Sequence, residues 1–202
     1  LLGSTWTISE GMKAPMLNRE TGEEISSVEG PGMLITSAYL HHFENALEKL
    51  NRCLESASFG DFQSCVSSGV ASIEAYIEHR ASICNSRCPA ERLVDSKENK
   101  VPLDNKIDEW IPKMLGGKKL NKSGQDWEHF KRLLGVRDKL AIHVKQPSLS
   151  FSYEEIGELL NLFRSGIAGL LVNLHLLFNE RIPSKIIRYA YLPDIELVTE
   201  ED

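Results

Sequence analysis

YEEIGELLNLFRSGIAGLLVNLHLLF, Tyr153 to Phe178, is the stretch that decides the fold. Its first half is amphipathic, with Ile156, Leu159, Leu160 and Phe163 recurring at helical spacing. Its second half carries Ile167, Leu170, Leu171, Leu174, Leu177 and Phe178 and is apolar nearly all round. A helix of that kind is expected to be buried on several sides, at the centre of a bundle or in a subunit interface. Its longest apolar run, Ile167 to Phe178, is interrupted by Asn173 and His175 and is too short to cross a bilayer.

The segments on either side supply the covering helices. Ile35, Tyr39, Phe43, Leu47, Leu50 and Leu54 recur every three or four residues, and Thr36 or Ser37 is placed to cap this first helix. Ser58-Phe59-Gly60-Asp61 ends it and caps a second helix, whose stripe is Phe62, Cys65, Val66, Val70, Ile73, Ile77 and Ile83. Residues 85–102 lack a sustained period and read as a loop. A third helix is expected over Leu103 to Leu115, with Ile107, Trp110, Ile111 and Leu115 apolar and Pro112 kinking or ending it. Gly116-Gly117-Lys118-Lys119 is a loop, and a fourth helix runs from about Gln125 to His143. After a linker over Ser148 to Tyr153 comes the fifth, ended by Ile182-Pro183.

The two ends read differently. Thr5-Trp6-Thr7-Ile8 alternates as a strand does, Asn18 to Gly22 is turn-rich, and Gly30-Pro31-Gly32 breaks the chain. The tail Ile186 to Tyr191 alternates enough for a short strand. The expected fold class is therefore all-α, an up-and-down helical bundle of four to five main helices. Residues 1–32 form an irregular or short-strand arm, 33–182 the helical domain and 183–202 a tail.

A chain of 202 residues with 42% apolar and 26% charged content is long enough to bury a real core. Its formal charge of −6 argues against nucleic-acid binding by bulk charge, so such a role needs a local basic patch. Lys113, Lys118, Lys119 and Lys122 form the densest cationic run, for which a solvated loop is the simpler reading. Cys53 and Cys65 fit buried small hydrophobes, and Cys84 and Cys88 have no second ligand pair at zinc spacing. All four are expected to be reduced, as in a cytoplasmic protein. His41, His42, His79, His129 and His175 have no ligand spacing with acids or cysteines, so neither a metal nor a cofactor is expected. No phosphate-binding loop, dinucleotide fingerprint or nucleophile elbow occurs. Trp110 and Trp127 read as core, and His175 as a hydrogen-bonded core or interface residue.

The chemistry is concentrated in Arg137-Asp138-Lys139-Leu140-Ala141-Ile142-His143. Histidine exchanges protons near neutral pH, and arginine holds phosphate oxygens in a planar fork. RNA carries its own nucleophile, the 2′-hydroxyl, so a base, an acid and charge stabilisation at phosphorus suffice to cleave it. Six steps at about 100° set Arg137 and His143 about 120° apart, so His143 is expected at or past the helix end. The same residues also suit a structural use, with Arg137 and Asp138 in an interhelical salt bridge and His143 capping the helix.

The order of two long helices, a loop, a short helix and a helix ending in Arg-polar-x-x-x-x-His resembles the HEPN family over residues 35–180. Ser72-Ile73-Glu74-Ala75-Tyr76-Ile77 is similar to that family's acidic second helix. Val101-Pro102-Leu103-Asp104-Asn105-Lys106-Ile107 is similar to the opening of its middle helix, and Leu133 to His143 to its signature. Asp138 stands where asparagine is usual, and the Arg–His spacing is one residue longer than the most frequent one. The resemblance implies a metal-independent endoribonuclease whose cleft forms between two protomers, since one histidine cannot conveniently be both base and acid. Arg137, His143 and Asp138 would be its catalytic residues, with Glu74, placed to pair with Arg137, and Lys139 in support. The implied partners are a second copy of the chain, RNA, and an antitoxin or regulatory protein, with no membrane. The alternatives are a silent HEPN-like module that binds RNA, a nucleotide or a protein, and a plain helical oligomerisation protein.

Overall fold

The computed structural model describes residues 13–17, 24–29, 37–56, 58–88, 92–94, 100–141 and 151–193. Two short strands, β1 (Lys13–Leu17) and β2 (Glu24–Glu29), pair antiparallel from Lys13↔Glu29 to Leu17↔Glu24. The strand-like Thr5-Trp6-Thr7-Ile8, the turn-rich Asn18 to Gly22 and the Gly30-Pro31-Gly32 break lie outside the described residues. The rest is helical, and the all-α expectation holds.

α1 (Ala38–Ser56) and α2 (Phe59–Arg87) pack along each other as an antiparallel pair. The α1 face is set by Tyr39, Phe43, Ala46, Leu50 and Cys53, all buried at helical spacing. Ser58 turns the chain: its side chain accepts from the Asp61 amide at 3.3 Å and caps α2. Beyond α2, the side-chain amide of Asn85 holds the Leu93 N–H and C=O, both at 2.8 Å. That clamp tucks Leu93 into the core.

α3 is composite. Leu103–Asn105 starts it, Lys106–Trp110 winds as a wider π turn, and Ile111–Met114 resumes α geometry. Pro112 thus does not end the helix. It follows directly on the π turn, and the helix runs on to Met114. Gly116 and Gly117 then reverse the chain with φ of 61° and 94°, backbone that favours glycine.

α4 (Gln125–Ala141) buries Phe130, Leu133, Leu134, Val136 and Leu140. α5 opens on a capping box in which Ser152 and Glu155 satisfy each other's backbone N–H groups. It runs through Tyr153–Phe163, a π turn at Arg164–Gly169, and Leu170–Leu177. By length and composition alone this 25-residue helix could cross a membrane, but 56% of its apolar window is buried inside the protein. It is the core helix expected of an all-round apolar segment.

α5 ends five residues before Ile182-Pro183. Asn179 takes a left-handed φ of 54°, the Asn179 amide bonds the Leu176 carbonyl at 3.0 Å, and the Glu180 amide bonds the His175 carbonyl at 2.8 Å. This paired closure satisfies the last carbonyls and stops the helix. The tail is also corrected: Ser184–Ala190 is a helix, α6, not a strand. Ile186 and Tyr189, three residues apart, turn one helical face inward, and Tyr189 meets Phe43 and Phe163 at 6.1 and 5.8 Å. Burying those two side chains on one face requires helical spacing.

α4 and α6 both pack on the π turn of α5, and glycines make the α4 approach close. A Cβ at Gly166 would lie 2.7 Å from the Phe130 amide nitrogen and 2.8 Å from the His129 carbonyl carbon. One at Gly169 would lie 2.8 Å from Asp126 Oδ1.

Candidate functional site

Arg137 sits seven residues after Phe130, about two turns along α4, and so falls on the edge of the helix's buried stripe. Its side chain is 29% exposed. An arginine there needs an anion, and it finds one in its chain neighbour. Nε and Nη2 both donate to Asp138 Oδ1, at 3.0 and 2.8 Å. The interhelical bridge considered from sequence is absent among the described residues. Asp138 and Lys139 are exposed on the last turn of α4. His143 lies outside the described residues, which for α4 end at Ala141.

Glu74 is not a partner of Arg137. It binds Lys106 at 2.8 Å, one helical turn before Glu78, which binds the same ammonium at 2.5 Å. Lys106 is 1% exposed, and its ammonium also lies 5.4 Å from the Trp110 ring centroid. The π turn of α3 presents this lysine to α2, so Glu74 serves the α2–α3 junction. Sequence reading missed this because Lys106 lies far from Glu74 in sequence.

The basic run is partly neutralised. Lys122 pairs with Asp108 at 2.5 Å and covers Trp127 at 4.3 Å, while Lys113, Lys118 and Lys119 are exposed. Trp110 is buried and Trp127 half-buried, as core readings require. Cys53 and Cys65 are buried and free, Cys84 is half-buried and Cys88 exposed. Among the described residues, no group of three or more His, Cys, Asp or Glu could hold a metal ion.

His175 is a buried polar residue of α5, 1% exposed. Nδ1 donates to the Leu171 carbonyl at 2.7 Å, which leaves Nε2 to accept from the Tyr39 hydroxyl at 3.2 Å. Burial pushes its pKa below the usual histidine value. The Tyr76 ring centroid is 4.5 Å away, and the Tyr76 hydroxyl donates to Glu180 at 2.8 Å. Arg80 pairs with that carboxylate and lies over Phe178 at 4.8 Å. Desolvation and the Glu180 charge push the Tyr76 phenol up, so it stays a donor. The network ties α1, α2 and the end of α5 together. With an imidazole engaged at both ring nitrogens, it is structural.

A second polar constellation was not anticipated. Between the start of α4 and the middle of α5 lies a cleft of about 290 Å³ whose polar walls are Gln125, His129, Asn161, Arg164 and Ser165. His129 Nδ1 meets the Ser165 hydroxyl, and His129 Nε2 lies 3.4 Å from the Gln125 amide nitrogen. The Arg164 guanidinium is anchored on the Leu192 carbonyl. The four-residue spacing of Gln125 and His129 was visible in sequence, but their pairing with Arg164-Ser165 depends on the packing at Gly166. Compared with known proteins, the chain matches no family model, no curated protein and no solved structure.

Proposed function

We propose that this chain is a HEPN-like, metal-independent endoribonuclease working as a symmetric homodimer, built on an up-and-down bundle of four to five main helices with residues 1–32 as an arm. One observation carries the reading. Arg137, on an otherwise apolar stripe of α4, finds no acid on another helix among the described residues and is held only by adjacent Asp138. A cation placed there without an interhelical structural partner is suited to an anion from outside. The end of a helix also favours positive charge, which Arg137 and Lys139 supply.

In the proposed reaction the RNA 2′-oxygen attacks the adjacent phosphorus while His143 removes its proton. The bond from phosphorus to the 5′-oxygen breaks, and the partner's His143 protonates that oxygen. Arg137 neutralises the charge that builds on the non-bridging oxygens, and Asp138 sets the plane of its guanidinium. The products are a 2′,3′-cyclic phosphate and a 5′-hydroxyl. A cytoplasmic role in defence, as a toxin or in stress response, under an antitoxin or regulatory protein, belongs to the same proposal.

RNA cleavage by the native chain in EDTA, compared with His143→Ala and Arg137→Gln, tests it. Cleavage to cyclic-phosphate ends that falls at least about a hundredfold in both variants is expected. Cleavage unchanged by His143→Ala would sink the mechanism. A second reading has one specific support: Asp138 already occupies two donors of Arg137, which an RNA phosphate would have to displace. Under that reading the module binds RNA, a nucleotide or a protein without cutting, and the native chain shows no cleavage.

A further inference from the structure

Lys113, Lys118, Lys119 and Lys122 are the only charged residues between Trp110 and Gln125, on a chain whose formal charge is −6. The segment runs from the last turn of α3 through the Gly116-Gly117 reversal to the start of α4. Lys122 has a structural role, pairing with Asp108 and covering the Trp127 ring. Lys113, Lys118 and Lys119 are exposed, and their side chains make no hydrogen bond or ion pair among the described residues.

Capping α3 does not account for these three. Backbone amides already close that end: the Leu115, Gly117 and Lys118 N–H groups donate to the Ile111, Pro112 and Leu115 carbonyls at 3.0, 2.8 and 3.5 Å. The nearest acids do not account for them either. Asp108 is held by Lys122, and Glu109, one turn before Lys113, forms no ion pair among the described residues. Because the Gly117 amide reaches back to the Pro112 carbonyl, Lys118 and Lys119 leave the chain beside Lys113. Left-handed backbone at Gly116 and Gly117 makes that return possible.

The surface suits a polyanion rather than a bilayer. Met114, Leu115 and Leu120 pack against the core, so the segment offers no apolar anchor to insert. Ammonium groups act as point charges, which hold phosphates without reading bases. We propose that Lys113, Lys118 and Lys119 dock the phosphate backbone of single-stranded RNA. The choice of RNA rests on the proposed ribonuclease function, and attack by a 2′-hydroxyl needs a strand free to turn it in line with the leaving oxygen. Gln125 and Arg137 are twelve residues apart, about 18 Å along α4. The lysines therefore hold the strand at phosphates other than the one cut.

Fluorescence anisotropy of a 2′-O-methyl oligouridylate, which cannot be cleaved through its 2′-oxygen, tests docking separately from cleavage. Binding by the full chain is expected to weaken linearly on a logarithmic salt scale. The triple variant Lys113→Gln, Lys118→Gln, Lys119→Gln should bind at least about tenfold more weakly at low salt and lower the slope by about two. Arg52→Gln, Lys185→Gln, Arg188→Gln takes the same charge from exposed positions on α1 and α6 and should leave the slope nearly unchanged. No saturable binding by the native chain at about 50 mM salt would overturn the proposal. So would equal losses in the two triple variants, or binding to phosphatidylserine vesicles without binding to the oligonucleotide.

Discussion

Arg137 directs Nε and Nη2 onto one carboxylate oxygen of Asp138, the residue next to it in the chain, at 3.0 and 2.8 Å. The pair is local and partly solvated, so it contributes little to folding. Asp138→Ala is expected to change unfolding free energy by less than about 0.5 kcal/mol in urea titration. Under the proposed ribonuclease function, RNA cleavage should respond differently. Releasing the guanidinium in Asp138→Ala costs on the order of tenfold in kcat/KM by loss of orientation. Asp138→Asn keeps an acceptor, removes the competing charge and should exceed the native rate. Equal rates in the two variants would remove Asp138 from the mechanism.

Lys106 and its two glutamates are unequal partners. Lys106 is 1% exposed, whereas Glu74 and Glu78 are 37% and 40% exposed. Lys106→Met leaves two acids that water can reach and fills the site with a chain of similar shape, so it should cost less than about 1.5 kcal/mol. The double variant Glu74→Gln, Glu78→Gln takes two carboxylates away from a buried ammonium and should cost more, about 3 kcal/mol. Chemical denaturation of both variants gives the order, and the reverse order would contradict the assignment.

Gly166→Ala places a methyl group 2.7 Å from the Phe130 amide nitrogen. Backbone cannot rotate aside as a side chain can, so α4 must lift from α5. A loss of about 1–3 kcal/mol is expected, measured as a lower urea midpoint at unchanged slope. Gly135→Ala, where a Cβ meets nothing within 4 Å, should be neutral or stabilising by up to about 1 kcal/mol.

Stability should fall in mild acid through His175. Its folded pKa is depressed by burial, so below the unfolded value of about 6.5 the unfolded chain binds the proton first. The contribution of neutral His175 is complete above that value. It declines as pH falls, by up to about 1.4 kcal/mol per pH unit, until the folded pKa is passed. Unfolding free energies from pH about 8 to 5 check this, and His175→Gln should flatten the slope.

Much of the fold was legible from periodicity. The stripes of α1 and α2, the Ser58 cap and the core position of α5 follow from where apolar residues recur and where a short polar side chain precedes them. Local patterns misled where one residue overrode the trend. The end of α5 was set by Asn179, whose left-handed backbone closes the helix before Pro183 is reached. The tail became α6 because buried Ile186 and Tyr189 share one inward face, from which Tyr189 meets Phe43 and Phe163.

By itself the sequence determined the class of fold, the helices that bury a face, and Arg137 as a cation near the end of α4. Those properties depend on residue type and short spacing, which the chain carries locally. The tertiary structure alone decided who meets whom. It assigned Glu74 to Lys106 across 32 positions, left Arg137 to its neighbour Asp138, and joined Gln125 and His129 to Arg164 and Ser165. Charge pairing and cleft formation depend on distances of a few ångströms between separate helices. Those distances follow from packing details such as the bare Cα of Gly166, which no reading of period or composition contains.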